Sequence, residues 1–193
     1  MNKFSLSRGN ALPQCVTADK KKYEIDPSFR TVLKCLRAFG DKELIERDRT
    51  AVIAKLFYKG IVPENFLKPF FDFVAMGESG AGNTGIKDFD YEFDAKEIYS
   101  SFWQMYGIDL FGTDLHWWKF QALLHGAFSA DTPLAHKVQL RHVDDSDGAK
   151  KASLDRAKKS VKIKECGSSA EENLQELIRK RLQNGEAIND LMR

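Results

Sequence analysis

The stretch TDLHWWKFQALLHG, residues 113–126, packs two tryptophans, a phenylalanine and two histidines into one short run. It could stack nucleobases, hold a metal or fill a helical domain, and the choice decides how the chain is read. At about 100° per residue, Leu115, Trp118 and Ala122 form one line of a helix and Trp117, Phe120 and Leu124 another, with Leu123 beside Phe120. A helix apolar over that much of its circumference belongs in a core. Each buried indole N–H then needs an acceptor, which the sequence does not name. Thr113 or Asp114 is the expected cap.

The histidines do not form a ligand set. His116 and His125 are nine positions apart, and His136 and His142 lie on the next segment, so no HExxH-like pair exists. Asp114 beside His116 reads as a cap followed by a core or surface histidine. Cys15, Cys35 and Cys166 are odd in number and far apart, which supports free thiols rather than disulfides or zinc. No metal and no cofactor is expected.

The flanking segments extend the helical reading. Asp26 and Pro27 suit a helix start, Phe29, Val32, Leu33, Leu36 and Phe39 recur at helical spacing, and Gly40 stands where a helix stops. A second helix carries Val52, Ile53, Leu56 and Phe57 before Gly60; a third is entered through Pro63, with Pro69 placed to kink or split it. Phe89, Tyr91 and Phe93 alternate with acidic residues, as in a short strand or an extended entry. Asp94 and Glu97 then resemble a capping box for a helix with Ile98, Phe102 and Met105 or Tyr106 on its stripe, ending at Gly107. Thr132 and Pro133 open another short helix.

The expected architecture is all-α: a bundle of short helices with a flexible basic C-terminal extension that ends in an amphipathic helix. A loose arm covers 1–24, N-terminal helices 25–76, a glycine-rich linker 77–87, a helical core 88–143, a basic linker or helix 144–168 and a last helix 169–193. In that last piece Ser169 and Glu172 form a capping box, and Leu174, Leu177, Ile178 and Leu182 share a stripe suited to a partner, to self-association or to the chain's own domain.

Of the 193 residues, 42% are apolar and 30% charged, which fits a folded domain. No run approaches the roughly 20 apolar residues of a membrane span, and MNKFSLSRGN contains no secretory apolar region, so a cytoplasmic home without membrane partners is expected. Charge is uneven: Lys plus Arg against Asp plus Glu is 14 to 10 over 1–85, 5 to 11 over 86–148 and 11 to 7 over 149–193. Lys150, Lys151, Arg156, Lys158, Lys159, Lys162 and Lys164 could neutralise phosphates. The aromatics sit in the acidic third, however, where a phosphate backbone is repelled, so nucleic acid is a disfavoured partner. The acidic residues of 88–94 read as a solvated face.

Catalytic signatures are lacking. GESGAGNTG at 77–85 has no P-loop lysine and no flanking strand and helix, there is no GxSxG, and no carboxylate pair stands out, so no enzyme is expected.

The block from 88 to 142 resembles a small family encoded in the tail modules of long-tailed phages and prophages of Gram-positive bacteria. Asp94 before its helix, the turn Tyr106-Gly107-Ile108-Asp109, and His116-Trp117-Trp118-Lys119-Phe120 followed by Leu123-Leu124 carry the resemblance. It implies a tail assembly chaperone in the host bacterial cytoplasm, a non-enzymatic protein that holds the tape measure protein while tail tube protein polymerises around it. The family offers no catalytic or metal residues to carry over. His116 and Lys119, at one edge of the tryptophan helix, are expected client contacts beside Leu174, Leu177, Ile178 and Leu182. A structural connector or tail component is the alternative, and a packaging or regulatory factor using the basic run is the third.

Overall fold

Residues 15–24, expected to be part of a loose arm, form an antiparallel hairpin in the computed structural model, which describes residues 12–76, 89–142 and 160–162. Strands β1 (Cys15–Ala18) and β2 (Lys21–Glu24) pair Val16 with Tyr23 and Ala18 with Lys21. The turn places Asp19 and Lys20 at φ 48° and 63°, the left-handed pair that matches hairpin twist. Val16 and Ala18 face inward and Cys15 outward. The fold is thus mostly helical with a small sheet, a correction to the all-α expectation.

Six helices follow among the described residues: α1 (Phe29–Gly40), α2 (Glu46–Leu56), α3 (Leu67–Val74), α4 (Ala95–Tyr106), α5 (Trp117–Ser129) and α6 (Pro133–His142). Helix α1 buries Phe29, Val32, Cys35 and Phe39 from the expected stripe. Its cap position is Ser28, not Asp26, whose carboxylate instead accepts the Ser28 N–H at 3.1 Å and the Thr31 hydroxyl at 2.8 Å. Pro69 neither kinks nor splits α3. It is the third residue of that helix, in the first turn, where an N–H has no intrahelical acceptor to lose. The alternating aromatic stretch before α4 is a turn over Tyr91–Asp94 rather than a strand. Helix α4 ends as its sequence dictates, with Gly107 left-handed at φ 62°.

The described residues divide into two units. One contains residues 12–76 with Leu115–Trp118. Its core joins Ile25, Val32, Ile53, Phe57, Phe70 and Phe73 to Trp117 and Trp118. The other contains 89–114, 119–142 and 160–162, cored by Ile98, Phe102, Phe120, Leu124, Ala127 and Leu134. The run His116-Trp117-Trp118-Lys119-Phe120 is therefore shared, its tryptophans packed in the first unit and Phe120 in the second. The linker expected at 77–87 and the helix expected at 169–193 lie outside the described residues, as does 144–168 apart from 160–162.

Candidate functional site

In the first unit the tryptophan pair closes the end of α3. The Trp118 indole N–H donates to the Phe73 carbonyl at 2.9 Å and the Trp117 indole N–H to the Val74 carbonyl at 3.0 Å. These carbonyls belong to the last turn of α3, where a helix runs out of its own donors. Both indoles are buried, and the Trp118 ring lies 5.6 Å from that of Phe73. Met76, at φ 55°, turns the chain so that its N–H also reaches the Phe73 carbonyl.

His116 positions this pair. Its Nδ1 accepts the Trp118 backbone N–H at 3.1 Å, capping the first turn of α5 where Thr113 or Asp114 was expected. That bond makes Nδ1 the bare nitrogen, so Nε2 carries the proton and donates to the Pro13 carbonyl at 3.0 Å. Backbone bonds from Trp117 N–H to the Pro27 carbonyl and from Phe29 N–H to the Leu115 carbonyl fix the same segment against the start of α1. His116 is half-buried and engaged at both ring nitrogens; Lys119 is exposed, on a stripe with Ala122, His125 and Ser129.

In the second unit a buried carboxylate organises the site. Asp94, expected as a simple cap on a solvated acidic face, is fully buried and makes no side-chain bond to its own helix start. Its Oδ1 accepts from Arg141 at 2.7 Å and lies 2.8 Å from Lys137 Nζ; its Oδ2 accepts from Arg141 at 2.9 Å and from the Asp90 N–H at 2.8 Å. Lys137 also pairs with Glu97 at 3.0 Å, so two anions meet two cations. Burial is the largest influence on Asp94 and pushes its carboxyl up. The Arg141, Lys137 and Asp90 hydrogen bonds and the Arg141 charge together outweigh it and hold the group below its ordinary value. Burial likewise pushes Lys137 down, but its bonds and attraction to Asp94 and Glu97 raise it. Phe93 covers the cations, with Lys137 4.6 Å and Arg141 5.8 Å from its ring centre.

Two further contacts hold α5 within this unit. The Tyr106 hydroxyl donates to the Leu123 carbonyl at 2.9 Å and lies so close over Gly126 that a Cβ there would meet it at 2.5 Å. Thr132 donates to the Ala127 carbonyl at 2.7 Å and accepts the Ala135 N–H at 3.1 Å, capping α6.

Every buried side-chain nitrogen and oxygen among the described residues has a partner, and no group of three metal-ligating side chains occurs there. What remains open is apolar surface. In the first unit Ile45, Leu56, Ile61 and Val62 are exposed; in the second, Trp103 is 56% and Phe111 84% exposed. Sequence periodicity pointed to the buried tryptophans and passed over this third one, although its place on the polar side of the Ile98–Phe102 stripe was the available signal. Of the basic residues expected to meet polyanions, Lys162 is described and exposed, whereas Lys150, Lys151, Lys158 and Lys159 lie outside the described residues. Leu174, Leu177, Ile178 and Leu182 also lie outside them.

The family model described as Bacteriophage Gp15 protein matches residues 9–165, which include both units. This chain belongs to that bacteriophage protein family. No curated protein and no solved structure matches it. The matched residues include the tryptophan pair, the Asp94 cluster, and the exposed Trp103 and Phe111. No helix among the described residues is long and apolar enough to cross a membrane.

Proposed function

We propose that this member of the phage family is a non-enzymatic tail assembly chaperone, acting in the host cytoplasm to hold the tape measure protein while tail tube protein assembles around it. The family match over 9–165 carries the phage context. The resemblance at Tyr106-Gly107-Ile108-Asp109 and His116-Trp117-Trp118-Lys119-Phe120 carries the tail role. A chaperone for a long helical client needs exposed apolar anchors with polar surroundings, so that binding is specific yet reversible. Trp103 and Phe111 are anchors of this kind.

The test is co-expression with the tape measure protein of the same phage, followed by analysis of finished particles. The reading expects co-purification with the tape measure protein and absence from mature virions. Stoichiometric incorporation into virions would contradict it and favour the second reading, a structural tail or connector component, which membership in a phage protein family also supports.

A further inference from the structure

The second unit keeps three aromatic side chains together at its surface. Tyr99 and Trp103 are one turn apart on α4 and therefore neighbours on that helix, and the Tyr99 ring meets that of Phe111 at 5.2 Å. Trp103 and Phe111 are exposed, and Phe111 is held out by its own turn. Asp109 Oδ1 accepts the Phe111 N–H at 2.9 Å, the Asp109 carbonyl accepts the Thr113 N–H at 2.8 Å, and Leu110 between them is buried. A Cβ at Gly112 would meet the Asp109 carboxylate at 2.9 Å, so the turn closes tightly around that side chain. With Trp103 on a helix and Phe111 on a closed turn, a partner has little backbone freedom to remove, which favours both rings as binding anchors.

Charge on this face selects the kind of partner. Helix α4 carries no basic residue in its last turn, where the carbonyls of a helix end attract cations. Asp109 and Asp114 follow on either side of Phe111 in the loop beyond, with Asp114 exposed. The two acids at the start of α4 are engaged elsewhere, Asp94 with Arg141 and Lys137 and Glu97 with Lys137. Lys96, two turns before Trp103 on the same side, marks the opposite end of the face. The end that holds the exposed rings is therefore negative, and an indole or phenyl face itself takes a cation.

We propose that the Tyr99–Trp103–Phe111 face takes a helical segment of a partner protein whose apolar stripe covers the rings and whose lysines or arginines lie over Asp109, Asp114 and the end of α4. A partner with carboxylates there would be repelled by both aspartates and by the helix end. Such a segment is the client contact that the proposed chaperone role requires, and the assignment rests on that role for its choice of partner protein.

Two synthetic helical peptides with the same leucine stripe, one ending in lysines and the other in glutamates, test the face on the full chain by fluorescence anisotropy. The lysine peptide is expected to bind about fivefold more tightly or better at low ionic strength, and the difference should shrink as salt is added. Trp103→Ser/Phe111→Ser should weaken its binding more than about tenfold. Asp109→Asn/Asp114→Asn, which keeps the rings and an acceptor for the Phe111 N–H, should erase the preference for lysine and decides the matter if the first variant fails to fold. Equal binding of the two peptides, no binding of either, or lysine-peptide binding that survives Trp103→Ser/Phe111→Ser would overturn the proposal. Trp103 emission that shifts on dilution of the chain alone would overturn it too, by making a second copy the occupant. Co-expression with the tape measure protein separates this face from the chaperone reading. Co-purification that survives Trp103→Ser/Phe111→Ser keeps the chaperone and removes the face, whereas lysine-peptide binding without co-purification keeps the face and removes the chaperone.

Discussion

At the end of α3 two indole N–H groups satisfy two backbone carbonyls, whereas at the head of α4 a buried carboxylate gathers two cations and a backbone N–H. Both arrangements leave no buried polar group unpaired: the first satisfies the last carbonyls of α3, and the second satisfies a buried carboxylate. The first does so with neutral donors on large apolar rings, so packing and hydrogen bonding arrive together. The second uses charge, which binds more strongly but only while the carboxylate is ionised. The two indole bonds therefore contain no ionisable group, whereas the Asp94 cluster does.

Removing a large ring should break the neutral lock most severely. Trp118→Ala is expected to destabilise the first unit by about 3–5 kcal/mol, from the emptied site, in urea unfolding at neutral pH. Trp118→Phe should cost less, because the Phe73 carbonyl keeps the Met76 N–H as a partner.

Asp94→Ala should cost a similar amount, about 3–5 kcal/mol, because Arg141, with its side chain 5% exposed, loses its counter-charge. The accompanying pH dependence separates the two locks. Since the folded Asp94 carboxyl sits below its ordinary value of 3.8, its contribution is complete above the unfolded value and is lost as pH falls through the folded one. An acid titration of stability should be steeper in the native chain than in Asp94→Ala, and Trp118→Phe should leave that slope unchanged. Lys137 works in the other direction: with its ammonium raised above 10.5, its contribution is complete below that pH and declines above it.

A smaller loss is expected from Gly126→Ala. The added methyl would collide with the Tyr106 hydroxyl and displace its bond to Leu123, an overpacking cost of about 1–3 kcal/mol visible as a lowered thermal midpoint. Thiol labelling should leave stability untouched and report burial alone. Burial, with some help from the Asp26 charge, pushes the Cys35 thiol up to about 12, so at pH 8 the exposed Cys15 should react and Cys35 should wait for unfolding.

The same contrast explains what could be read from the sequence. The α1 stripe, the Gly107 stop, the Thr132-Pro133 start and the burial of Trp117 and Trp118 are local patterns, and each is visible in the residues that form it. The hairpin was hidden because its inward set is only Val16 and Ala18 and its turn is Asp19-Lys20, without the usual glycine or asparagine. Asp94 was misread because its partners lie more than forty residues away on α6, beyond any local pattern. The indole acceptors could not be named at all, since a carbonyl is common to every residue.

The central claim is that Trp117 and Trp118 are structural donors at the end of α3, whereas Trp103 belongs to a surface. Hydrogen exchange of the three indole N–H groups, assigned by Trp103→Phe and followed by NMR in the native chain, tests it without disturbing the fold. Two indoles should exchange only through unfolding of their unit and the Trp103 indole much faster, through local opening. A Trp117 or Trp118 indole exchanging as fast as that of Trp103 would contradict the account.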